Sequence, residues 1–102
     1  MSGNPHDVIK AIDEKSVKDY MALNNFCFCD GALSKKVKIL IGLALDASKS
    51  SGAGVRHLAL EAREAGASWD EIKEALQVAY YVGFATPYWA AINGLEDLVK
   101  QK

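Results

Sequence analysis

The sequence predicts an all-α fold, and three features between Gly31 and Pro87 carry this prediction. Apolar residues recur there at three- and four-residue steps, the spacing that gathers side chains on one face of a helix. The small residues of positions 50–54 separate two such stretches. Ser68 and Glu71 match the S-x-x-E spacing of a capping box, in which each side chain satisfies a free backbone amide of the first turn. We therefore expect one domain over residues 1–102, a compact bundle of about five to six helices.

Two helices are expected before Gly31. The first starts at Asn4-Pro5, where a capping residue precedes a proline at the first helical position. The second starts at Asp13 or Ser16, and Gly31 is expected to end it, because glycine enters the left-handed region without steric cost. The side chains expected on the buried side of this second helix are Val17, Tyr20, Met21, Leu23, Phe26 and Cys27.

Three further helices come next, with predicted starts near Ser34, Ser51 and Ser68. The apolar stripe of the first is expected to hold Val37, Leu40, Ile41, Ala44, Leu45 and Ala47. The stripe of the second, which Gly66 follows, is expected to hold Val55, Leu58, Ala59, Ala62 and Ala65. The third helix is expected to bury Ile72, Ala75, Leu76, Ala79, Tyr80 and Val82.

A last helix is expected to begin at Thr86 and Pro87, an N-cap followed by proline at the first helical position. Five aromatic residues lie within ten positions around this joint, namely Tyr80, Tyr81, Phe84, Tyr88 and Trp89. A helix that is apolar on more than one face usually buries its second face against a partner. We therefore expect a homo-oligomer whose interface includes this aromatic cluster.

The composition excludes several kinds of partner. With 12 Lys and Arg against 13 Asp and Glu, the net charge is −1, which provides no basic surface for nucleic acid or an anionic membrane. Asp46 and Lys49 interrupt the longest apolar run, so no membrane span is expected. The N-terminus lacks the apolar core of a signal peptide, and we expect a cytoplasmic protein. No nucleotide-binding glycine motif follows a strand, and no cofactor is expected.

Cys27 and Cys29 form a C-x-C pair with two interpretations. In the first, one cysteine lies in the core and the other near the end of the helix. In the second, the two thiols act together in redox chemistry or metal binding, which requires the chain before Asp30 to be non-helical, because residues two apart on a helix point away from each other. No second cysteine pair is present to complete a zinc site, so no metal is expected.

Polar residues near the start of the helix predicted to begin at Ser51 are the main candidates for catalysis. His57, flanked by Arg56, is expected within about the first turn, where the helix dipole disfavours the imidazolium cation and leaves a neutral base. The alternative is a half-exposed polar residue without a role. Ser51 is a candidate nucleophile for which the sequence shows no evident base, and a capping or turn role is the alternative. His6 is expected to be inert.

Three segments in order resemble the carboxymuconolactone decarboxylase and alkylhydroperoxidase D-like superfamily. They are GALSKKVKILIGLAL, then HLALEAREAGASWDEIKEAL, then YYVGFATPYWAAINGLEDL. The similarity covers roughly Phe26 to Leu98, and its most specific part is Ala65-Gly66-Ala67-Ser68 with the glutamates and apolar residues beyond it. This resemblance implies an alkylhydroperoxidase D-like helical fold and a homo-oligomer, with trimers and hexamers common in the family.

The redox members of that family carry a C-x-x-C, a histidine and a glutamate, and this chain keeps none of the four. Aligned without gaps, the two cysteine positions fall on Ser51 and Gly54, the histidine on Leu58 and the glutamate on Ile39. Because a thiolate is the nucleophile in such chemistry, peroxidase activity through the family's C-x-x-C is not expected. His57 lies one residue out of that register, about 100° around the helix.

The decarboxylase branch of the family does without the C-x-x-C and therefore fits this chain better. The resemblance then implies a lyase-type small-molecule enzyme acting on a carboxylate substrate. The candidate catalytic residues of this chain are His57, Arg56 and Ser51, none of which lies at a catalytic histidine or glutamate position of the family. Arg63 lies two turns beyond Arg56 as a further candidate. Two alternatives stay open: an antioxidant, peroxiredoxin-type thiol protein that uses Cys27 and Cys29, or a non-catalytic oligomeric binding protein of the same fold.

Overall fold

The computed structural model describes residues 6–101, and this part of the chain is helical with no strand. Its five helices are α1 His6–Ile12, α2 Glu14–Cys27, α3 Lys35–Ser48, α4 Gly52–Glu64 and α5 Trp69–Lys100. The all-α class and the number of helices are as predicted. The start predicted at Asn4-Pro5 lies outside the described residues. The chain divides within α3 into two compact units, residues 1–38 and 39–102.

In the first unit, Asp13 caps α2 as predicted. Its Oδ1 accepts hydrogen bonds from the amides of Lys15 at 3.1 Å and Ser16 at 3.4 Å, and its Oδ2 accepts one from the Ser16 hydroxyl at 2.6 Å. The predicted buried side of α2 is wrong, because α1 and α2 bury no residue and Phe26 is 77% exposed. Two short helices alone form too little surface to enclose their apolar side chains.

The turn between α2 and α3 differs from the prediction at Gly31. α2 ends earlier, where the amide of Phe28 donates to the Asn24 carbonyl at 3.0 Å, and Gly31 does not adopt a left-handed conformation. Polar side chains organise the turn instead. Asp30 Oδ1 accepts from the amide of Lys35 at 2.7 Å, and Ser34 Oγ accepts from the amide of Val37 at 3.1 Å. Ser34 is therefore the N-cap of α3, as predicted.

Asp13 makes the start of α2 sensitive to acid. Hydrogen bonds from the Ser16 hydroxyl and then the Ser16 amide hold the pKa of its carboxyl below the ordinary value of 3.8. Because the folded pKa is the lower one, the cap contributes stability above about pH 4 and loses it as the pH falls through the folded pKa. We expect the NMR amide shifts of Lys15 and Ser16 to stay constant from about pH 7 to 5 and to move below about pH 4. Asp13→Asn, which keeps a capping oxygen, should abolish this titration, whereas a midpoint above about pH 5 would contradict the assignment.

The second unit holds the buried core, formed by Ile39, Leu43, Ala62, Ala67, Ile72 and Ala79. The stripe predicted for α3 is wrong: Ile39 and Leu43 are fully buried, whereas Ile41 and Leu45 are 47% and 55% exposed. Apolar residues occupy almost every side of α3, so helical spacing alone does not select the buried face. On α4 and the start of α5 the prediction is closer, because Ala62, Ile72 and Ala79 are buried.

The joint between α4 and α5 agrees with the predicted signals. Gly66 adopts a left-handed φ of 95° after α4, a conformation that glycine takes without a steric penalty. Ser68 and Glu71 form the capping box, since the Glu71 amide donates to Ser68 Oγ at 3.0 Å and the Ser68 amide donates to Glu71 Oε1 at 2.9 Å. These bonds fix where α5 begins.

α5 does not stop at Thr86 and Pro87, so the separate last helix predicted there is wrong. The helix runs without a break from Trp69 to Lys100, with Pro87 inside it. Proline fixes φ near the helical value, but inside a helix it removes one amide donor and its ring crowds the carbonyl of the residue four positions earlier, at a cost of about 3 kcal/mol. The Thr86 hydroxyl donates back to the Val82 carbonyl at 3.4 Å rather than capping a new helix. The predicted burial of Tyr80 and Val82 is also wrong, because they are 66% and 55% exposed.

Candidate functional site

The joint between α3 and α4 is closed by side-chain contacts around Ser51 and Gly54. Ser51 Oγ accepts a hydrogen bond from the Gly54 amide at 3.3 Å, so this oxygen caps α4. The carboxyl group of Asp46 lies against Gly54: a Cβ added there would sit 2.7 Å from Asp46 Cγ and 2.9 Å from Ser51 Oγ, with Asp46 Oδ2 closer still. Position 54 therefore has no room for a side chain in this conformation.

His57 lies early in the second turn of α4, just beyond the predicted first turn or so, and pairs with Glu61. Its Nε2 lies 3.1 Å from Glu61 Oε1, a contact between residues four apart on the same helix. The His57 side chain is 70% exposed and that of Glu61 is 39% exposed. The carboxylate thus orients the imidazole ring while most of the ring stays accessible to a small molecule.

The two arginines of α4 have different surroundings. Arg63 Nη1 donates to the Ala67 carbonyl at 2.8 Å, and its guanidinium lies 5.1 Å from the centroid of the Trp69 ring. This side chain therefore holds the α4–α5 turn. Arg56 is exposed and has no hydrogen bond or ion pair to any residue within 6–101. Of the two, Arg56 is the one available to an anionic ligand.

Apolar side chains occupy the positions where the redox members of the family carry polar groups. Ile39 is fully buried, and Leu58 is half-buried. Both positions are therefore apolar and shielded from solvent to different degrees, whereas Arg56 and His57 of α4 are exposed.

The two cysteines belong to the first unit, and both are exposed free thiols. Cys27 is the last residue of α2. Its predicted burial is wrong, because the side chain is exposed. Cys29 lies beyond the helix, and its Sγ donates to the Phe26 carbonyl at 3.4 Å. Because α2 includes Cys27, the non-helical chain before Asp30 that the thiol-pair interpretation requires is present at Cys29 but not at Cys27. Lys38 Nζ donates to the Cys29 carbonyl at 2.8 Å, which fixes the backbone of this turn rather than the thiol.

Two other kinds of site are absent from residues 6–101. No group of three or more His, Cys, Asp and Glu side chains in that range is placed to hold a metal ion. None of the helices described there has the length and apolar content needed to cross a membrane.

Glu61 and Asp46 were missed by the sequence analysis. The four-residue step from His57 to Glu61 is a local signal that a helix brings the two side chains together, and it was available. The contact between Asp46 and Gly54 has no such signal, because it depends on how the chain turns between α3 and α4.

Fold and site together define a small all-α domain with a histidine–glutamate pair and an available arginine on its fourth helix. The sequence model of the Carboxymuconolactone decarboxylase family matches residues 14–97, and the chain belongs to this family. The predicted resemblance is thereby confirmed. Searches of curated proteins and of solved structures found no significant match to this chain.

Proposed function

We propose that this protein is a small-molecule enzyme of the decarboxylase-like branch, acting on a carboxylate substrate without a C-x-x-C. The observation that supports it most is the 3.1 Å contact between His57 Nε2 and Glu61 Oε1 on an accessible face of α4. A histidine held by a carboxylate is the usual arrangement for moving a proton to or from a substrate.

In the proposed reaction, Arg56, His57 and Glu61 each have a separate role. The guanidinium of Arg56 binds an anionic group of the substrate. The bond between the substrate carbon and its carboxylate breaks, CO₂ leaves, and the electron pair stays on the carbon. The imidazolium of His57 then gives its proton to that carbon and is reprotonated from water. Glu61 acts as a positioning residue. Ser51 acts as the cap of α4, and the reaction needs no nucleophile.

The antioxidant alternative has weaker support. With Ser51 and Gly54 at the cysteine positions and Asp46 against Gly54, the family's dithiol chemistry has no nucleophile at this place. A thiol function would have to use Cys27 and Cys29, which are exposed but lie in the first unit. The proposed setting is the cytoplasm, where such exposed thiols stay reduced.

The proposed partner of the chain is a further copy of itself, in a trimer or hexamer as is common in the family. The aromatic side chains of Tyr80, Tyr81, Phe84, Tyr88 and Trp89 are 54% to 75% exposed. Such a concentration of exposed aromatic surface is typical of an interface.

The proposed activity predicts a clear effect of His57→Ala. With a γ-lactone carrying a carboxylate as substrate, release of CO₂ should fall by about 10²–10⁴-fold in kcat, because the proton donor is lost. Glu61→Gln should lower kcat with a smaller change in KM, since it keeps a hydrogen-bonding group but removes the charge. His6→Ala, which changes the other histidine, serves as the matched control and should leave the rate unchanged.

Two results would reject this activity. The first is no CO₂ release from such lactones by the wild type, together with His57 ring signals in NMR that do not change when the lactone is added. This result would favour the non-catalytic oligomeric protein, which is also consistent with the 70% exposure of the His57 side chain. Peroxide turnover with a dithiol that is lost in Cys27→Ser or Cys29→Ser would favour the antioxidant alternative.

A further inference from the structure

The face of α5 that carries large apolar side chains is not the same in the first third of the helix as in the rest. In its first third, Ile72 and Ala79 are buried against the second unit's own core. Beyond Tyr80, the positions that continue this buried face are Gly83, Thr86, Ala90, Gly94 and Asp97, which are small or polar. The core of the unit therefore does not extend along the rest of α5.

A different face carries the large apolar residues of the distal part. Tyr81, Ala85, Tyr88, Ile92, Leu95 and Val99 succeed one another at steps of four and three residues. We name this set the α5 seam. Val78 precedes it at the same spacing, so the pattern covers about three heptads, the repeat of a helix that packs along a partner helix. At about 100° per residue, the seam lies roughly 140–160° around the helix from Ile72 and Ala79.

The large side chains of the α5 seam are all exposed, and Ala85 is half-buried. Tyr81 is 75% exposed, Tyr88 54%, Leu95 51% and Val99 61%, and Ile92, the least exposed of its large side chains, is 40% exposed. An exposed helix whose apolar repeat lies away from its own core is unfavourable in water unless another surface covers it.

The seam continues into an apolar groove between α3 and α5. This groove, of about 250 Å³, is lined by Ile41, Ala44, Leu45, Ser48, Val78, Ala79 and Val82. Val78 thus belongs both to the groove and to the heptad pattern. The large side chains of the seam and groove and the flanking aromatic side chains together expose on the order of 800–1,000 Å² of apolar surface per chain, taking about half of ~150–250 Å² for each aromatic side chain and less for each aliphatic one. A stable dimer needs about 800 Å² from each partner.

We infer that the α5 seam and its adjoining groove form the interface between copies of this chain, with α5 of one copy packed along α5 of a second. The inference rests on the self-association proposed above, and it assigns the contact surface to the seam face of α5 and the adjoining groove. A second copy is the occupant because it supplies the same heptad spacing, and side chains of matching repeat interlock along their whole length. Tyr81 and Tyr88 belong both to the α5 seam and to the aromatic cluster, so the proposed interface includes part of that cluster.

Leu95→Glu tests the inference, with Ala90→Glu as the matched control. Ala90 is exposed on the opposite face of the same helix, so both variants place one glutamate, a good helix former, on an exposed position. By sedimentation equilibrium we expect the wild type to self-associate and Leu95→Glu to raise the dissociation constant at least about 100-fold, because a charge replaces a buried leucine in each copy. Ala90→Glu should stay within about threefold of the wild type.

Thiol labelling provides a second measurement, in a chain carrying Cys27→Ser and Cys29→Ser. The thiol of Leu95→Cys should react with a maleimide at least about tenfold more slowly at high protein concentration than after dilution, whereas that of Ala90→Cys should react equally fast at both. Protection of Leu95→Cys that does not depend on concentration would show that the chain covers the seam itself and would overturn the inference. A monomeric wild type would reject both the seam and self-association, and an oligomer unaffected by Leu95→Glu would reject the seam alone.

Discussion

Replacing Leu43 with alanine is expected to lower the free energy of unfolding by about 3 kcal/mol. Among residues 6–101, Leu43 and Ile39 are the two largest side chains that are completely buried. Removing most of a buried leucine loses its transfer free energy and leaves a cavity that the neighbouring side chains fill only in part. Domains of this size have a total stability of only about 5–15 kcal/mol, so this single change removes a large share of it.

Leu60→Ala is the matched control, because Leu60 on α4 is 55% exposed and undergoes the same chemical change. Its free energy of unfolding should fall by less than about 1 kcal/mol. Urea denaturation followed by circular dichroism, with all proteins at one concentration, measures both values. A loss for Leu43→Ala no greater than that for Leu60→Ala would mean that the core of the second unit is not centred on α3.

The sequence predicts the starts of α2 to α5 well, because a local side chain sets each of them. Asp13, Ser34, Ser51 and the Ser68–Glu71 box cap helices as expected. Each of these signals depends on a hydrogen bond within about three residues, so the rest of the fold has little influence on it.

Burial was predicted less well, and α3 shows why. The helix is apolar on most sides, so several faces fit the same spacing, and the buried one is selected only when other elements pack against Ile39 and Leu43. Pro87 shows a related limit. Proline is tolerated in the first turn of a helix and costs about 3 kcal/mol inside one, so the sequence around Thr86 favours a new helix start, yet Pro87 lies inside α5.

Some residues of the candidate site were identified from the sequence, but not all of their contacts were. His57 and Arg56 were identified as polar residues on α4, and the four-residue step from His57 to Glu61 was an available signal that was not used. The contact of Asp46 with Gly54 has no local signal, because it depends on how the chain turns between α3 and α4. The absence of the C-x-x-C was read directly from Ser51 and Gly54. The sequence did not show that the carboxyl group of Asp46 lies in the space that a cysteine at position 54 would need.

Gly54→Ala is expected to lower the free energy of unfolding by about 1–2 kcal/mol, although alanine is the better helix former. The added methyl group would approach Asp46 Cγ to 2.7 Å and Ser51 Oγ to 2.9 Å. The Asp46 side chain, half-buried in the wild type, has to rotate away, and the Ser51 oxygen that caps α4 has to move as well. The helix propensity gained, about 0.5–1 kcal/mol, is smaller than this cost.

The sign of the effect should reverse when Asp46 is first replaced by alanine. Without the carboxyl group, most of the steric conflict disappears and the propensity of alanine dominates, so Gly54→Ala in the Asp46→Ala background should raise stability by about 0.5 kcal/mol. The double-mutant cycle, measured by urea denaturation, should therefore give a coupling free energy of about 2 kcal/mol. The same cycle with Gly52→Ala in place of Gly54→Ala is the control and should give none, because no atom lies within 4 Å of a Cβ added at Gly52. Additive effects of Asp46→Ala and Gly54→Ala would show that the carboxyl group does not occupy this space, and the position would then be open to a side chain such as the cysteine found there in the redox members of the family.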